Sequence, residues 1–88
     1  MHARAAALEL GPAGIRVNTV SPGLVDRPGL ADGWPEGVES WLAHAPLRRL
    51  ATPEDVGGAC VLLASHAASF ITGQDLAVDG GMLATPGW

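Results

Sequence analysis

The first place where this sequence could do chemistry is the run Ile15 to Gly23, IRVNTVSPG, which stops at a Ser-Pro-Gly turn. Ligands of open parallel sheets bind in the crevice beyond the carboxyl ends of the strands, so a strand ending at Ser21, Pro22 and Gly23 would present those residues to a ligand. Ser21 is a poor nucleophile there, because no histidine or lysine stands at a motif spacing that would activate it. The single cysteine, Cys60, sits in an apolar helical context and is expected to be a small buried hydrophobe rather than a reactive thiol. One cysteine also rules out an internal disulfide and accords with a cytoplasmic protein. His2, His44 and His66 lack metal-ligand spacing and are expected to be surface or partly packed groups. The more telling fact is an absence: there is no tyrosine, and all five basic residues are arginines, leaving no lysine. A phenol and an ammonium are therefore missing from the acids and bases this chain supplies.

The elements that must position this turn can be read outward from it. Ile15, Val17, Thr19 and Val20 are stiff at χ1 and favour a strand over Ile15 to Val20, which Pro22 should end by removing a ladder donor. Before it, HARAAALEL predicts a helix over residues 2–10, stopped by Gly11-Pro12, with Leu8 and the alanines forming a smooth face against a sheet. Neither Met1 nor His2 can serve as an N-cap, so the chain reads as if it begins inside a helix.

After the turn, residues 24–35 read as a loop over the crevice. Pro35 then opens a short amphipathic helix with Val38, Trp41, Leu42 and Ala45 on one face, ended by Pro46. Trp34 and Trp41 read as packing, with an apolar-lined pocket as the alternative. Thr52-Pro53-Glu54-Asp55 is a helix start with a hydroxyl cap, proline at the first position and carboxylates in the first turn. Val56, Ala59 or Cys60, Leu62 and Leu63 continue it to about Ser65, and Gly57 and Gly58 would admit a close neighbour. Leu76 to Val78 form a second strand ending at Asp79-Gly80-Gly81. The apolar tail to Trp88 docks on its own domain or reaches a partner.

Eighty-eight residues make at most one small domain. The order helix, strand, loop with a small helix, capped helix, strand gives an α/β chain with one parallel, right-handed βαβ unit. That unit is incomplete: two strands seldom make a stable sheet, and a strand edge and much apolar surface should lie bare. A net charge of −4 and a pI near 5.0 argue against nucleic acid or an anionic membrane surface as partner. No apolar run reaches the roughly 18 residues of a membrane span.

Three stretches in order, ALELGPAGIRVNTVSPGLVD, PLRRLATPEDVGGACVLLAS and ASFITGQDLAVDGG, resemble the C-terminal third of the classical short-chain dehydrogenases/reductases, and the resemblance spans almost the whole chain. It implies that residues 1–88 form part of a Rossmann-like, doubly wound domain, with Ile15 to Val20 and Leu76 to Val78 as its sixth and seventh parallel strands. Residues of about 24–46 would be the substrate lid. It implies NAD or NADP as cofactor and hydride transfer to or from a small alcohol or carbonyl compound. Carried over by motif, Pro22 and Gly23 bring backbone near the nicotinamide, and the main chain of Val25 meets its carboxamide.

Arg27 stands where the family generally has a threonine that bonds the cofactor; it would reach a cofactor phosphate or point to solvent, the latter favoured. Arg49 matches a frequent arginine, Arg48 replaces a usual small residue, and Asp79-Gly80-Gly81 reads as a turn fixed by the aspartate. The family's tyrosine and lysine, and its glycine-rich phosphate loop, have no counterpart here. The resemblance thus implies an oxidoreductase fragment inactive by itself, associating as a homo-oligomer or with other family subunits. The alternative is a non-catalytic binding or oligomerisation module.

Overall fold

The computed structural model describes residues 2–85. Six elements follow one another: helix α1 (His2–Leu10), strand β1 (Thr19–Pro22), helices α2 (Leu30–Gly33), α3 (Pro35–His44) and α4 (Pro53–Ala64), and strand β2 (Asp75–Val78). The strands pair in parallel with Thr19 opposite Asp75 and Pro22 opposite Val78. This is the expected βαβ order, with α4 in the crossover.

β1 is shorter at its start than Ile15 to Val20. Residues 16–18 are tied instead by side chains and single backbone bonds to the loop before β2. Asn18 Nδ2 donates to the Ile71 carbonyl, the Gln74 amide donates to Asn18 Oδ1, and the Val17 amide donates to Thr72 Oγ1. Nor does Pro22 end the ladder where expected. Thr19 and Gly23 donate their amides to the Gln74 and Val78 carbonyls, so the odd-numbered residues of this stretch face β2. The proline nitrogen points to the opposite, open edge, where no ladder bond is lost, and one further bond forms at Gly23.

Thr19 and Ser21 also present hydroxyls on one face, and both donate to Oδ1 of Asp75 at 2.8 Å. One carboxylate thereby fixes the register of two parallel strands, and the Ser21 and Thr19 hydroxyls lower its pKa.

α1 buries Ala3 and Ala7, four apart on one face, with Ala7 against the loop at Gly73. Leu8 lies on the other side, 82% exposed, contrary to the sequence reading. The helix is followed by a 3₁₀ turn over Gly11–Ala13, and the left-handed residue that reverses the chain is Gly14 (φ 78°) rather than Gly11. The run 24–35, read as loop, contains α2, whose Leu30 is buried; a one-turn helix is too short for a periodic signal. α3 follows its predicted bounds and buries Val38 and Trp41, as does Ala45 just beyond it.

α4 has the predicted cap in full: Asp55 N–H donates to Thr52 Oγ1 and the Thr52 amide donates to Asp55 Oδ2. Arg49 completes it by donating to both Asp55 oxygens at 2.7 and 3.1 Å. At its far end Arg16, which the sequence did not single out, donates to the Leu63 carbonyl, an orphan acceptor of the last turn, and to the Ile71 carbonyl in the loop before β2.

Yet α4 buries none of its residues, and Cys60, expected inside, is exposed. The physical reason is partnership: β1 and β2 cover only a narrow strip of α4, and nothing lies within 4 Å of a Cβ placed on Gly57 or Gly58. Val61, Phe70 and Leu83 are similarly bare. The buried cluster is small, consisting of Trp41, Ala45 and Met82 with Leu24 and Leu50 against it. The radius of gyration is 15.5 Å, against about 12 Å for a compact chain of this length. The accessible surface of 6084 Å² exceeds by about 1,200 Å² that of a compact 9.0 kDa monomer.

Asp55 and Asp75 supply acid sensitivity. The Arg49 side-chain bond, then the Thr52 amide, hold the Asp55 carboxyl far below the ordinary carboxylate range, and Asp75 is lowered too. Depressed folded-state values stabilise the fold above the unfolded pKa, and that contribution is lost as pH falls. Urea unfolding should show stability declining from about pH 5 downward, with a much flatter dependence in D55N/D75N; an unchanged slope in the double variant would refute these assignments. Thr52→Ala should cost about 1 kcal/mol at neutral pH in the same titration.

Candidate functional site

The carboxyl ends of β1 and β2 lie side by side, and the chain leaving β1 passes over them. Pro22 is exposed at the end of β1. Gly23 is half-buried and donates its amide to the Val78 carbonyl at 2.9 Å. Val25 then makes a single parallel bridge to Ala51, in which the Ala51 amide donates to the Leu24 carbonyl (2.9 Å) and the Asp26 amide to the Ala51 carbonyl (2.8 Å).

The geometry of that bridge has a consequence for Val25. In a parallel pairing the partner's amide and carbonyl bond to the residues on either side, so the N–H and C=O of Val25 face away from Ala51. Among the described residues neither group has a backbone partner. A donor and an acceptor thus stand next to each other on one half-buried residue, a pattern complementary to a planar amide.

Beneath the turn, Gly23 leaves no room for a side chain. A Cβ there would lie 2.5 Å from Cη2 and 2.8 Å from Cζ2 of Trp41, and 3.0 Å from the Cα of Asp79. Asp79 fixes the turn after β2, as expected: its carboxylate accepts the amides of Gly81 (3.0 Å) and Leu83 (2.9 Å). Gly80 and Gly81 both have positive φ. Arg48 also takes a left-handed conformation (φ 53°), a backbone region that suits glycine better than a residue with a side chain.

The structure brings Pro22, Gly23 and Val25 together at one strand end and places the other candidates elsewhere. Arg27 is exposed close by. Ser21 is spent on Asp75. Trp34 is partly exposed and shields Gly37, while Trp41 belongs to the buried cluster. Trp88 lies outside the described residues. A cavity of about 380 Å³ lies beside β2 and the start of α4, lined by Leu47, Leu50, Leu76 and Val78 among others, and includes none of Pro22, Gly23 and Val25. The ligand-facing candidate is therefore an open backbone edge, not a closed pocket.

Among the described residues no group of three or more His, Cys, Asp or Glu is gathered around a metal-sized site, and no helix is long and apolar enough to cross a membrane. Sequence reasoning missed the role of Asp75, whose spacing from Thr19 and Ser21 carries no local signal, and that of Trp41 beneath Gly23.

Comparison with known proteins agrees with this architecture. A family model described as enoyl-(acyl carrier protein) reductase matches residues 1–83. The chain belongs to the short-chain dehydrogenase/reductase family. It is 50% identical over 82 residues to a cis-4-hydroxycyclohexanecarboxylate dehydrogenase of Sinomonas cyclohexanicum, covering 92% of this chain and 32% of that protein. It is 43% identical to a 3-oxoacyl-[acyl-carrier-protein] reductase of Chlamydia muridarum, covering 90% and 32% respectively. A crystal structure of a short-chain dehydrogenase/reductase family oxidoreductase from Burkholderia thailandensis superposes with a TM-score of 0.85 at 41% identity, over 96% of this chain and 34% of that one. The chain thus spans about a third of the length of the relatives it matches.

Gly23→Ala should destabilise the fold by about 1–3 kcal/mol, because the added methyl meets a packed ring on one side and backbone on the other. Urea denaturation measures it, and a loss below about 0.5 kcal/mol would show that the turn has slack.

Proposed function

We propose that this chain is the C-terminal third of a nicotinamide-dependent oxidoreductase, providing the backbone edge that receives the nicotinamide and the lid that covers the substrate. The observation that carries this is the N–H and C=O of Val25, which no backbone group among the described residues pairs, at the carboxyl end of two parallel strands. In this reading they hold the carboxamide of NAD or NADP, while Pro22 and Gly23 let the main chain approach the ring, and residues of about 24–46, with α2 and α3, form the lid over a small alcohol or carbonyl compound.

The fit is to one end of the cofactor only. These residues suit the carboxamide, but no glycine-rich loop is present for the phosphates. When bound, the dinucleotide supplies the hydride acceptor or donor. This chain orients its reactive end and shields it from water. In this reading proton transfer falls to a tyrosine and lysine in polypeptide beyond this sequence, since neither residue type occurs among these 88 residues.

The DNA upstream is the direct test. A Tyr-x-x-x-Lys encoded in frame within about three helical turns of Met1 is expected, and unrelated sequence there would count against the proposal. Purified chain should give no alcohol oxidation with NAD or NADP; turnover that survives removal of host enzymes would overturn it.

The bare face of α4 favours a second, compatible reading, in which this surface joins a second copy or a related subunit in a soluble cytoplasmic assembly. The excess exposed surface of about 1,200 Å² is more than the roughly 800 Å² per partner of an ordinary interface. Gly57→Ala and Gly58→Ala test it, because each should stabilise the lone helix by about 0.5–1 kcal/mol while weakening self-association if the glycines are covered. Sedimentation equilibrium up to about 100 μM separates the cases: a dimer weakened by either variant is expected, and a strict monomer excludes the interface.

A further inference from the structure

The backbone that presents Val25 is held from three sides. β2 holds it through the Gly23 amide on the Val78 carbonyl, and residue 51 holds it through two bonds to Leu24 and Asp26. The third support is a side chain. Trp41 lies against Gly23, 5% exposed, and its Nε1–H donates to the Arg49 carbonyl at 3.0 Å.

That indole links two assemblies. It extends from α3, the longer helix of segment 24–46, which packs against α2. The Arg49 it bonds is itself fastened to α4, through two bonds to the Asp55 carboxylate, and to the Leu50 carbonyl. The next residue but one, Ala51, is the bridge partner of Val25. Trp41 therefore touches the Val25 edge twice: directly beneath Gly23, and through the Arg49–Ala51 segment that sets the opposite side of the bridge.

We infer that Trp41 is a positioning residue that makes the lid helix and the Gly23–Val25 edge one mechanical unit, so that displacement of α3 withdraws the two groups Val25 offers to a ligand. This deepens the nicotinamide reading and rests on it for its purpose. The coupling itself needs no dinucleotide. A residue that only filled the core would loosen the whole sheet when truncated, whereas a positioning residue loosens the stretch it supports. The ring and the indole N–H make separable contributions: Phe keeps part of the contact with Gly23 and loses the bond to Arg49, and Leu loses both.

Amide hydrogen exchange of the 88-residue chain followed by NMR reads this residue by residue. Trp41→Leu should raise the exchange rates of the Gly23 and Asp26 amides at least about tenfold relative to that of Thr19, and Trp41→Phe should raise them by about threefold. Leu42→Ala, on the same helix but pointing outward, should leave the ratios unchanged. Uniform acceleration across β1 and β2, or none, would overturn the inference; if Trp41→Leu does not fold, the Trp41→Phe ratio decides alone. A parallel titration with nicotinamide mononucleotide carried to about 20 mM, above the millimolar affinity expected of one cofactor end, keeps the cofactor reading distinct: selective exchange with no shift of the Val25 amide at that concentration would retain the coupling and sink that reading.

Discussion

The parallel pairing of Thr19–Pro22 with Asp75–Val78 is the constraint on which the rest of this structure depends. Parallel strands require a crossover, and here the crossover contains three helices whose sequence positions follow from where the two strands must lie. The register is exact because Asp75 accepts hydroxyls from Thr19 and Ser21 on the adjacent strand. A slip of one residue would turn both hydroxyls away and shift the turn at Gly23 against Asp79. Everything at the strand ends, including the Val25 bridge and the packing of Trp41, inherits its position from that register.

The construction is asymmetric in its use of surface. Polar groups are well served, with no buried side-chain nitrogen or oxygen left without a partner among the described residues, and both ends of α4 are capped by side chains. Apolar surface is not: α4 has a complete cap and no buried residue, and the central cluster reduces to Trp41, Ala45 and Met82. Hydrogen bonds and caps define shape locally, whereas stability comes mainly from apolar burial. The local rules are satisfied here and the burial is not, in a chain that spans about a third of its relatives' length.

Much of the fold was legible because its signals are local. Thr52-Pro53-Glu54-Asp55 announces a cap within four residues, Pro35 and the spacing Val38, Trp41, Ala45 announce α3, and Asp79-Gly80-Gly81 announces a turn. What was illegible depends on distant partners. Whether Cys60 or Leu8 is buried depends on what covers a helix face, which composition does not state. The start of β1 at Thr19 rather than Ile15 depends on the side chains of Asn18 and Thr72 meeting across more than fifty residues. Pro22, lacking an amide, reads as a ladder breaker, yet only the register shows that its nitrogen faces the open edge. At the candidate site, Pro22, Gly23 and Val25 are legible through a family resemblance; the feature that sets Val25 apart, an N–H and a C=O with no backbone partner among the described residues, arises from its pairing with Ala51 and has no side-chain signature.

In the function we propose, this chain contributes a carboxamide-binding edge while the phosphate-binding and proton-transferring groups lie in other polypeptide. Isothermal titration calorimetry of the purified chain with NAD and NADP tests it most directly. No stoichiometric binding stronger than a Kd of about 1 mM is expected, because an edge without a phosphate cradle holds only one end of the ligand. Saturable one-to-one binding in the micromolar range would contradict it.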